Sequence, residues 1–394
     1  MSEEAERIML LRDLKQQYRI LKADIDRAIL DVAASGTYVM GPAVVELERM
    51  LADYVGTRHC LSCASGTDAL TLALKAWGIG HGDAVFVPDF TFFASAEAVS
   101  SVGATPVFVD VDRETFNINP ADLENKIQAT IRKGELLPKV IMAVDLFGLP
   151  ANYPAIRTIA DSHHLLILED GAQGFGGAVD GKRCCSFGDI STTSFFPAKP
   201  LGCYGDGGAC FTDNDKWAAL IDSYRMHGKG ASKYENVRIG MNSRLDTIQA
   251  AILQVKLKAF DNELSAVNKA AAEYTARLAD IVETPAVPAG FRSSWAQYTI
   301  KLNSNAERNG LQAYLKGQGI PSMVYYPCPL HRQMAYRNFG QHESGCPVAD
   351  NLCDVVLSLP IHPYISSEEI TDICNAIKAF LQRENWNRGE SEQA

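Results

Sequence analysis

Ser191-Thr-Thr-Ser-Phe-Phe-Pro-Ala-Lys199-Pro-Leu-Gly-Cys-Tyr-Gly-Asp-Gly-Gly208 sets one lysine between an apolar strand end and a glycine-rich turn. Phe195, Phe196, Pro197, Pro200 and Leu201 leave the Lys199 amine poorly solvated. Desolvation disfavours an ammonium, so such an amine is free to attack a carbonyl near neutral pH. Those are the requirements of an imine-forming lysine. From this segment alone, an ordinary lysine on a surface loop is the competing reading.

Working outward, Leu165-Leu-Ile-Leu-Glu-Asp170 reads as a buried strand ending in two carboxylates, followed by Gly171-Ala-Gln173-Gly-Phe-Gly-Gly177. Asp170 is thereby expected at a strand's carboxyl end, where open α/β sheets place their ligands, and it can share one crevice with Lys199. The pair suits pyridoxal phosphate: the lysine holds the aldehyde, and a carboxylate beside the pyridine nitrogen keeps that nitrogen protonated as an electron sink. For Asp170 taken alone, an Asx turn or helix cap is the commoner role.

The wider chain supports a doubly covered, mostly parallel sheet. Strand-like runs at His59–Cys63, Ala84–Val87, Thr105–Val109, Val140–Val144 and Leu165–Asp170 alternate with helical ones, a pattern of α/β folds. A helix through Ile20–Leu30 and a turn at Gly36–Gly41 leading to Pro42 form an N-terminal arm. After Lys199 come a strand at Gly208–Thr212, a helix to Met226, a polar loop and a long helix opened by Asn242–Asp246. The expected division is a large domain over residues 1–260 and a small α+β domain over 261–394, with strand-like Gln297–Leu302 and Ser322–Tyr326 and a polar, frayed tail from Arg383.

Composition narrows the function classes. The 394 residues are 47% hydrophobic with a formal net charge of −10, which suits a globular enzyme and argues against nucleic acid or an anionic membrane as partner. The ten cysteines are scattered. Cys60-Leu-Ser-Cys63 has no second pair or histidine cluster at zinc spacing, so reduced, mostly buried thiols are expected and no metal. The acidic Met1-Ser-Glu-Glu-Ala-Glu6 lacks an apolar leader and no run reaches membrane-spanning length, which leads to the expectation of a cytoplasmic protein.

Two further segments complete a candidate site. Ser65-Gly66-Thr67-Asp68-Ala69-Leu70 follows a strand and opens a helix, so the N–H groups of Gly66 and Thr67 can meet a phosphate. A plain serine N-cap explains the same residues equally well. The helix dipole contributes only about 0.3–1 kcal/mol per charge, so side-chain donors such as Ser194 and Asn242 are needed. Pro88-Asp-Phe-Thr-Phe92-Phe93 brings aromatics to the same edge, and Phe92 can stack on a flat ring, although core packing is the usual fate of a phenylalanine. The glycines after Lys199 do not fit GxGxxG because position 210 is Cys, so a dinucleotide site is excluded.

Together these motifs resemble the DegT/DnrJ/EryC/StrS group of pyridoxal-phosphate-dependent nucleotide-sugar aminotransferases. The carriers also include Tyr38-Val-Met-Gly-Pro42, Gly240-Met-Asn-Ser-Arg-Leu-Asp246 and Tyr325-Tyr-Pro-Cys-Pro-Leu-His331, and the likeness runs from about Leu11 to Tyr364. The resemblance implies an aspartate aminotransferase-type fold, with Lys199 as imine-forming lysine and proton shuttle and Asp170 as pyridinium partner. Gln173 would bond the phenolic oxygen and Phe92 would stack on the ring. Gly66, Thr67 and Ser194 would bind the phosphate, with Asn242 lent by the second subunit of a homodimer. Arg244, Tyr325, Tyr326 and His331 would face the nucleotide sugar.

Within the group, the wording around Lys199 and Asn242 is most similar to enzymes that aminate UDP-2-acetamido-2-deoxy-3-oxo-glucuronate with glutamate for O-antigen assembly. Tyr325, where histidine is usual, and the longer segment Ile131–Pro138 depart from that pattern and bear on sugar selectivity. A lysine at position 199 also separates the chain from the group's deoxysugar dehydratases, which carry histidine there. The alternatives are a dTDP-3-keto-6-deoxyhexose or UDP-4-keto sugar as substrate, or a cofactor-binding regulatory protein without catalysis.

Overall fold

The computed structural model describes residues 9–232, 234–337 and 345–391; the acidic start and the last three residues of the polar tail lie outside them. The first five strands are β1 (His59–Cys63), β2 (Asp83–Pro88), β3 (Thr105–Val109), β4 (Leu137–Val144) and β5 (Leu166–Asp170). Two short strands follow, β6 (Ala178–Val179) and β7 (Lys182–Arg183), and then β8 (Ile190–Ser194) and β9 (Gly208–Thr212). The last three are β10 (Phe291–Arg292), β11 (Tyr298–Lys301) and β12 (Val356–Leu359).

Seven strands form the main sheet in the order β1-β9-β8-β5-β4-β2-β3. The neighbours β8, β5, β4, β2 and β3 pair in parallel, while β9 is antiparallel to both β1 and β8. Parallel pairs need a crossover, and helices such as Ala94–Ser101 between β2 and β3 and Tyr153–His163 between β4 and β5 supply it here. The segment between β8 and β9 contains no helix, and the chain turns back so that β9 runs antiparallel to β8. The lysine stretch is that return.

Both faces of the sheet are covered, as near-continuous apolar strands require. Val85, Val87, Val140, Met142 and Leu168 belong to one buried core, while their alternates Ala84, Phe86, Ile141, Ala143 and Ile167 belong to another. A third core packs Val44, Leu47 and Leu51 of the helix Pro42–Val55 against Cys60, Phe211, Leu253 and Phe260. All ten cysteines are free, nine of them buried, in keeping with the expected thiols.

The helix Thr247–Leu278 runs unbroken for 32 residues through position 260. Beyond Leu264 it feeds a separate core with Tyr298, Leu311, Leu357 and Ile373, and on that separation of cores we propose the division into large and small domains. Ser322–Tyr326 departs from the expected strand: only Met323 makes a bridge, to Ser358. Pro321 and Pro327 flank it and have no N–H to extend a ladder. The tail is helical as far as Ser391. Among the described residues no helix is long and apolar enough to cross a membrane.

Candidate active site

The carboxyl ends of β1, β2, β4, β5 and β8 open onto a cavity of about 420 Å³. It is lined by Gly66, Thr67, Phe92, Asp170, Gln173, Ser194, Lys199, Tyr325 and Tyr326, so nine of the residues singled out in the sequence converge on it.

Asp170 ends β5 and is buried. Its Oδ2 accepts from the Ser95 hydroxyl at 2.8 Å and its Oδ1 from the Ala172 N–H at 3.3 Å. Burial pushes its carboxyl above the usual range, and the Ser95 bond and the Lys199 charge partly offset that rise. Lys199 is partly open to the cavity, and its N–H donates to the Phe196 carbonyl at 2.8 Å. Desolvation lowers the amine below its ordinary value, against the pull of Asp170, and the positive Arg12 lowers it further. Arg12 reaches in from the N-terminal arm, donating to the Pro200 carbonyl at 3.3 Å. By contrast Lys182, on the glycine turn Asp180-Gly-Lys-Arg183, lies over the Phe187 ring at 5.0 Å and does not line the cavity.

Gln173 is oriented by a backbone group. The Phe147 N–H donates to its Oε1 at 2.7 Å, which turns Nε2 toward the Tyr326 hydroxyl at 3.1 Å. Beneath it, Asp145 accepts from the Ala151 N–H at 3.0 Å and the Tyr153 hydroxyl at 2.7 Å, which pins the loop that carries Phe147. Asp145, Glu169 and Cys184 form a buried cluster; burial and the Glu169 charge push the Asp145 carboxyl well above the usual carboxylate range.

The opposite end of the cavity is the start of the helix Gly66–Ala76, where the Ser65 hydroxyl accepts from the Asp68 N–H at 3.1 Å. A Cβ at Gly66 would lie 2.7 Å from the Ser194 Cβ, so only glycine lets the helix start meet the end of β8. Phe92 is 54% exposed, and its ring centroid lies 6.2 Å from that of Tyr326.

Three residues singled out in the sequence lie elsewhere in this chain. Asn242 is exposed and bridges Met226, and Arg244 is half-buried on the same segment; neither lines the cavity. His331 is turned toward Asp89: its Nδ1 bonds Oδ2 at 2.5 Å and its N–H donates to Oδ1 at 2.8 Å. It latches the Pro329–Arg332 turn to the end of β2. Ser95 and Gln297 were missed. Ser95 was legible three residues beyond Phe92, in the first turn of the next helix, whereas Gln297 carries no local signal.

These residues fit pyridoxal phosphate. A helix start and Ser194 stand at one end, a buried carboxylate that needs a cationic partner lies along the floor, and Lys199 opens into the same volume. Phe92 offers an aromatic face and Gln173 a donor for an oxygen on the ring.

Comparison with known proteins agrees. Residues 19–378 match the model of the DegT/DnrJ/EryC1/StrS aminotransferase family. The chain is 43% identical over 366 residues to the UDP-2-acetamido-2-deoxy-3-oxo-D-glucuronate aminotransferase of Pseudomonas aeruginosa, covering 93% of this chain and 98% of that one. A DegT DnrJ EryC1 StrS aminotransferase from Brucella abortus superposes with a TM-score of 0.92 at 49% identity, covering 94% of this chain and 99% of that one. NtdA of Bacillus subtilis, solved with bound cofactor PMP, superposes with a TM-score of 0.86 at 27% identity, covering 97% of this chain and 87% of that one. With the lysine, the carboxylate and the helix start all on one cavity, and the match spanning nearly the whole chain, this protein belongs to the DegT/DnrJ/EryC1/StrS aminotransferase family.

Proposed function

We propose that this pyridoxal-phosphate-dependent sugar aminotransferase moves the amino group of glutamate onto a nucleotide-linked ketosugar, with UDP-2-acetamido-2-deoxy-3-oxo-glucuronate as the substrate, in the assembly of surface polysaccharide. The observation that carries the reading is the shared cavity of Lys199 and Asp170. When bound, pyridoxal phosphate supplies an aldehyde to receive the amino group and a pyridine ring to draw charge from the carbon that loses its proton. Lys199 Nζ, its basicity lowered by desolvation, takes and returns the proton at that carbon. The Asp170 carboxylate holds a proton on the ring nitrogen, since a buried anion gains most from a cationic partner. Gln173 Nε2 donates to the ring's phenolic oxygen, and the N–H groups of Gly66 and Thr67 with the Ser194 hydroxyl hold the phosphate.

In this reading the enzyme is a homodimer in the cytoplasm. Asn242 reaches the phosphate of the other subunit, and Arg244, Tyr325, Tyr326 and His331 serve the nucleotide sugar, His331 by fixing the turn below the two tyrosines. The exposure of Tyr234 (86%) and Ile239 (87%) on the segment leading to Asn242 supports a covered partner face. The sugar carboxylate is assigned to Arg244, whose planar guanidinium binds a carboxylate through two parallel hydrogen bonds.

The test is a panel of nucleotide ketosugars assayed with glutamate, in wild type and Arg244→Lys. A charge-assisted hydrogen bond contributes about 1.5–3 kcal/mol, so Arg244→Lys should lower kcat/KM for the uronate by roughly one to two orders of magnitude. Its 6-hydroxymethyl counterpart should lose far less. Equal losses would assign Arg244 to the diphosphate, and no turnover of any ketosugar would overturn the proposed activity.

A further inference from the structure

Lys256 is a buried cation that the proposed reaction does not use. It lies within the helix Thr247–Leu278, is 2% exposed, and its Nζ donates to the Gly202 carbonyl at 2.6 Å. The same Nζ stands 4.4 Å from the centre of the Tyr204 ring. Burying an ammonium is costly unless partners hold its charge. Desolvation pushes this amine down to about 8, against the pull of Glu263 and Cys203 and helped by the positive Arg12 of the N-terminal arm, so the ammonium still predominates at pH 7. Glu263, two turns along the same helix, is itself fixed: Gln17 Nε2 donates to its two oxygens at 3.1 and 2.9 Å, and the Tyr364 hydroxyl donates to Oε1. What the cation holds is the loop that carries Lys199. The Cys203 N–H donates to the Phe195 carbonyl at 2.8 Å and closes residues 195–203 into a ring with Lys199 at its midpoint. Across that ring, a Cβ at Gly202 would fall 2.5 Å from the Pro197 carbonyl oxygen and 2.7 Å from that of Phe196. The Phe196 carbonyl in turn accepts from the Lys199 N–H at 2.8 Å. Where Gly202 sits therefore sets where the Lys199 backbone sits.

We infer that Lys256 is a positioning residue: by gripping the Gly202 carbonyl, its ammonium fixes the loop 195–203 in the shape that keeps Lys199 on the cavity. The inference rests on the proposed role of Lys199 and adds a residue that acts on it through the backbone. The charges that bear directly on the Lys199 amine are those of Asp170 and Arg12, so Lys256 works by holding the loop. A neutral donor in its place would grip roughly half as strongly. With the grip released the loop visits other shapes, and attachment of the cofactor falls with the fraction of chains that keep the competent one. Binding that needs no bond to Lys199 does not fall.

The test mixes the full chain, freed of cofactor, with each form of the cofactor at pH 7. Pyridoxal phosphate joins its aldehyde to the Lys199 amine with loss of water, and visible absorbance follows the rate. Pyridoxamine phosphate enters the same cavity without a bond to the chain, and a titration gives its Kd. In Lys256→Met, which keeps the apolar stem and removes the donor, attachment of pyridoxal phosphate should slow by about tenfold, the loss of one charge-assisted hydrogen bond, with the Kd for pyridoxamine phosphate unchanged. Equal losses with both forms would show a packing role alone, and an unchanged attachment rate would show no role; either overturns the inference. Lys256→Arg supplies a second measurement that does not need the Met variant to fold. Arginine keeps its charge throughout, so its attachment rate relative to wild type should rise several-fold between pH 7 and pH 9.5 as wild-type Lys256 gives up its proton. The titration of Lys199 is common to both proteins and cancels, and a flat ratio would overturn the inference. Borohydride reduction of wild type should first link the cofactor to Lys199. Linkage elsewhere would overturn the role of Lys199 and this inference with it, whereas linkage at Lys199 leaves the variants to judge Lys256 alone.

Discussion

Gly66→Ala tests how the phosphate end of the cavity is built. The added methyl carbon would lie 2.7 Å from the Ser194 Cβ, 3.1 Å from its Oγ and 3.3 Å from its Cα. Carbon atoms prefer about 3.5–4.0 Å, so helix and strand must part by close to an ångström. Ser194 cannot swing aside, since its Cβ is fixed to a strand that pairs Ser194 with Gly208. Gly208 is itself wedged, because a Cβ there would fall 2.4 Å from the Ser65 carbonyl oxygen. Overpacking of this kind costs about 1–3 kcal/mol, so the Tm of the cofactor-free protein should fall by a few degrees. Parting the helix start from Ser194 also removes at least one charge-assisted phosphate contact, about 1.5–3 kcal/mol, which is about 10- to 150-fold in the Kd for pyridoxal phosphate. The assays are thermal melting of the cofactor-free protein and an absorbance titration with the cofactor. Gly317→Ala is the control, since nothing lies within 4 Å of its added carbon at the exposed end of the helix Asn305–Gly317. A lower Tm with an unchanged Kd would show that Gly66 serves packing alone and that the phosphate lies elsewhere.

Lys199→Ala should abolish transamination, and borohydride should no longer link the cofactor to the chain; retention of both turnover and linkage would refute the assignment of Lys199. Mixed Lys199→Ala and Asn242→Ala subunits should regain part of the activity that each lacks alone, because a hybrid dimer holds one intact composite site, and no recovery despite proven subunit exchange would count against a shared site. The Asp89 bond raises His331 above its ordinary value, so its contribution to stability is complete below about pH 6.5 and fades as pH rises through the higher native value. The Tm advantage of wild type over His331→Gln should therefore be widest in mildly acidic buffer and narrow in alkaline buffer; a constant gap would show that the imidazole acts by packing rather than charge.

Local chemistry in the sequence was enough to bring Lys199, Asp170 and the Gly66 helix start together, because each occupies a strand end or turn whose residue types are dictated within a few positions, whereas Gln173 came only from the family resemblance. The alternation of apolar runs likewise specified a parallel, doubly covered sheet. The reversed direction of β9 was not legible, since period alone does not give strand direction. Ser322–Tyr326 read as strand-like because it is apolar, yet its flanking prolines deny it a ladder. Pairings between distant segments were decided only by the tertiary structure. His331 turns to Asp89, 242 positions earlier, and Arg12 comes to rest beside the lysine loop 188 positions later. Sequence dictates what a residue can donate, accept or charge within its own turn or strand, but which distant group meets it depends on how separate elements pack, and that is a property of the folded chain.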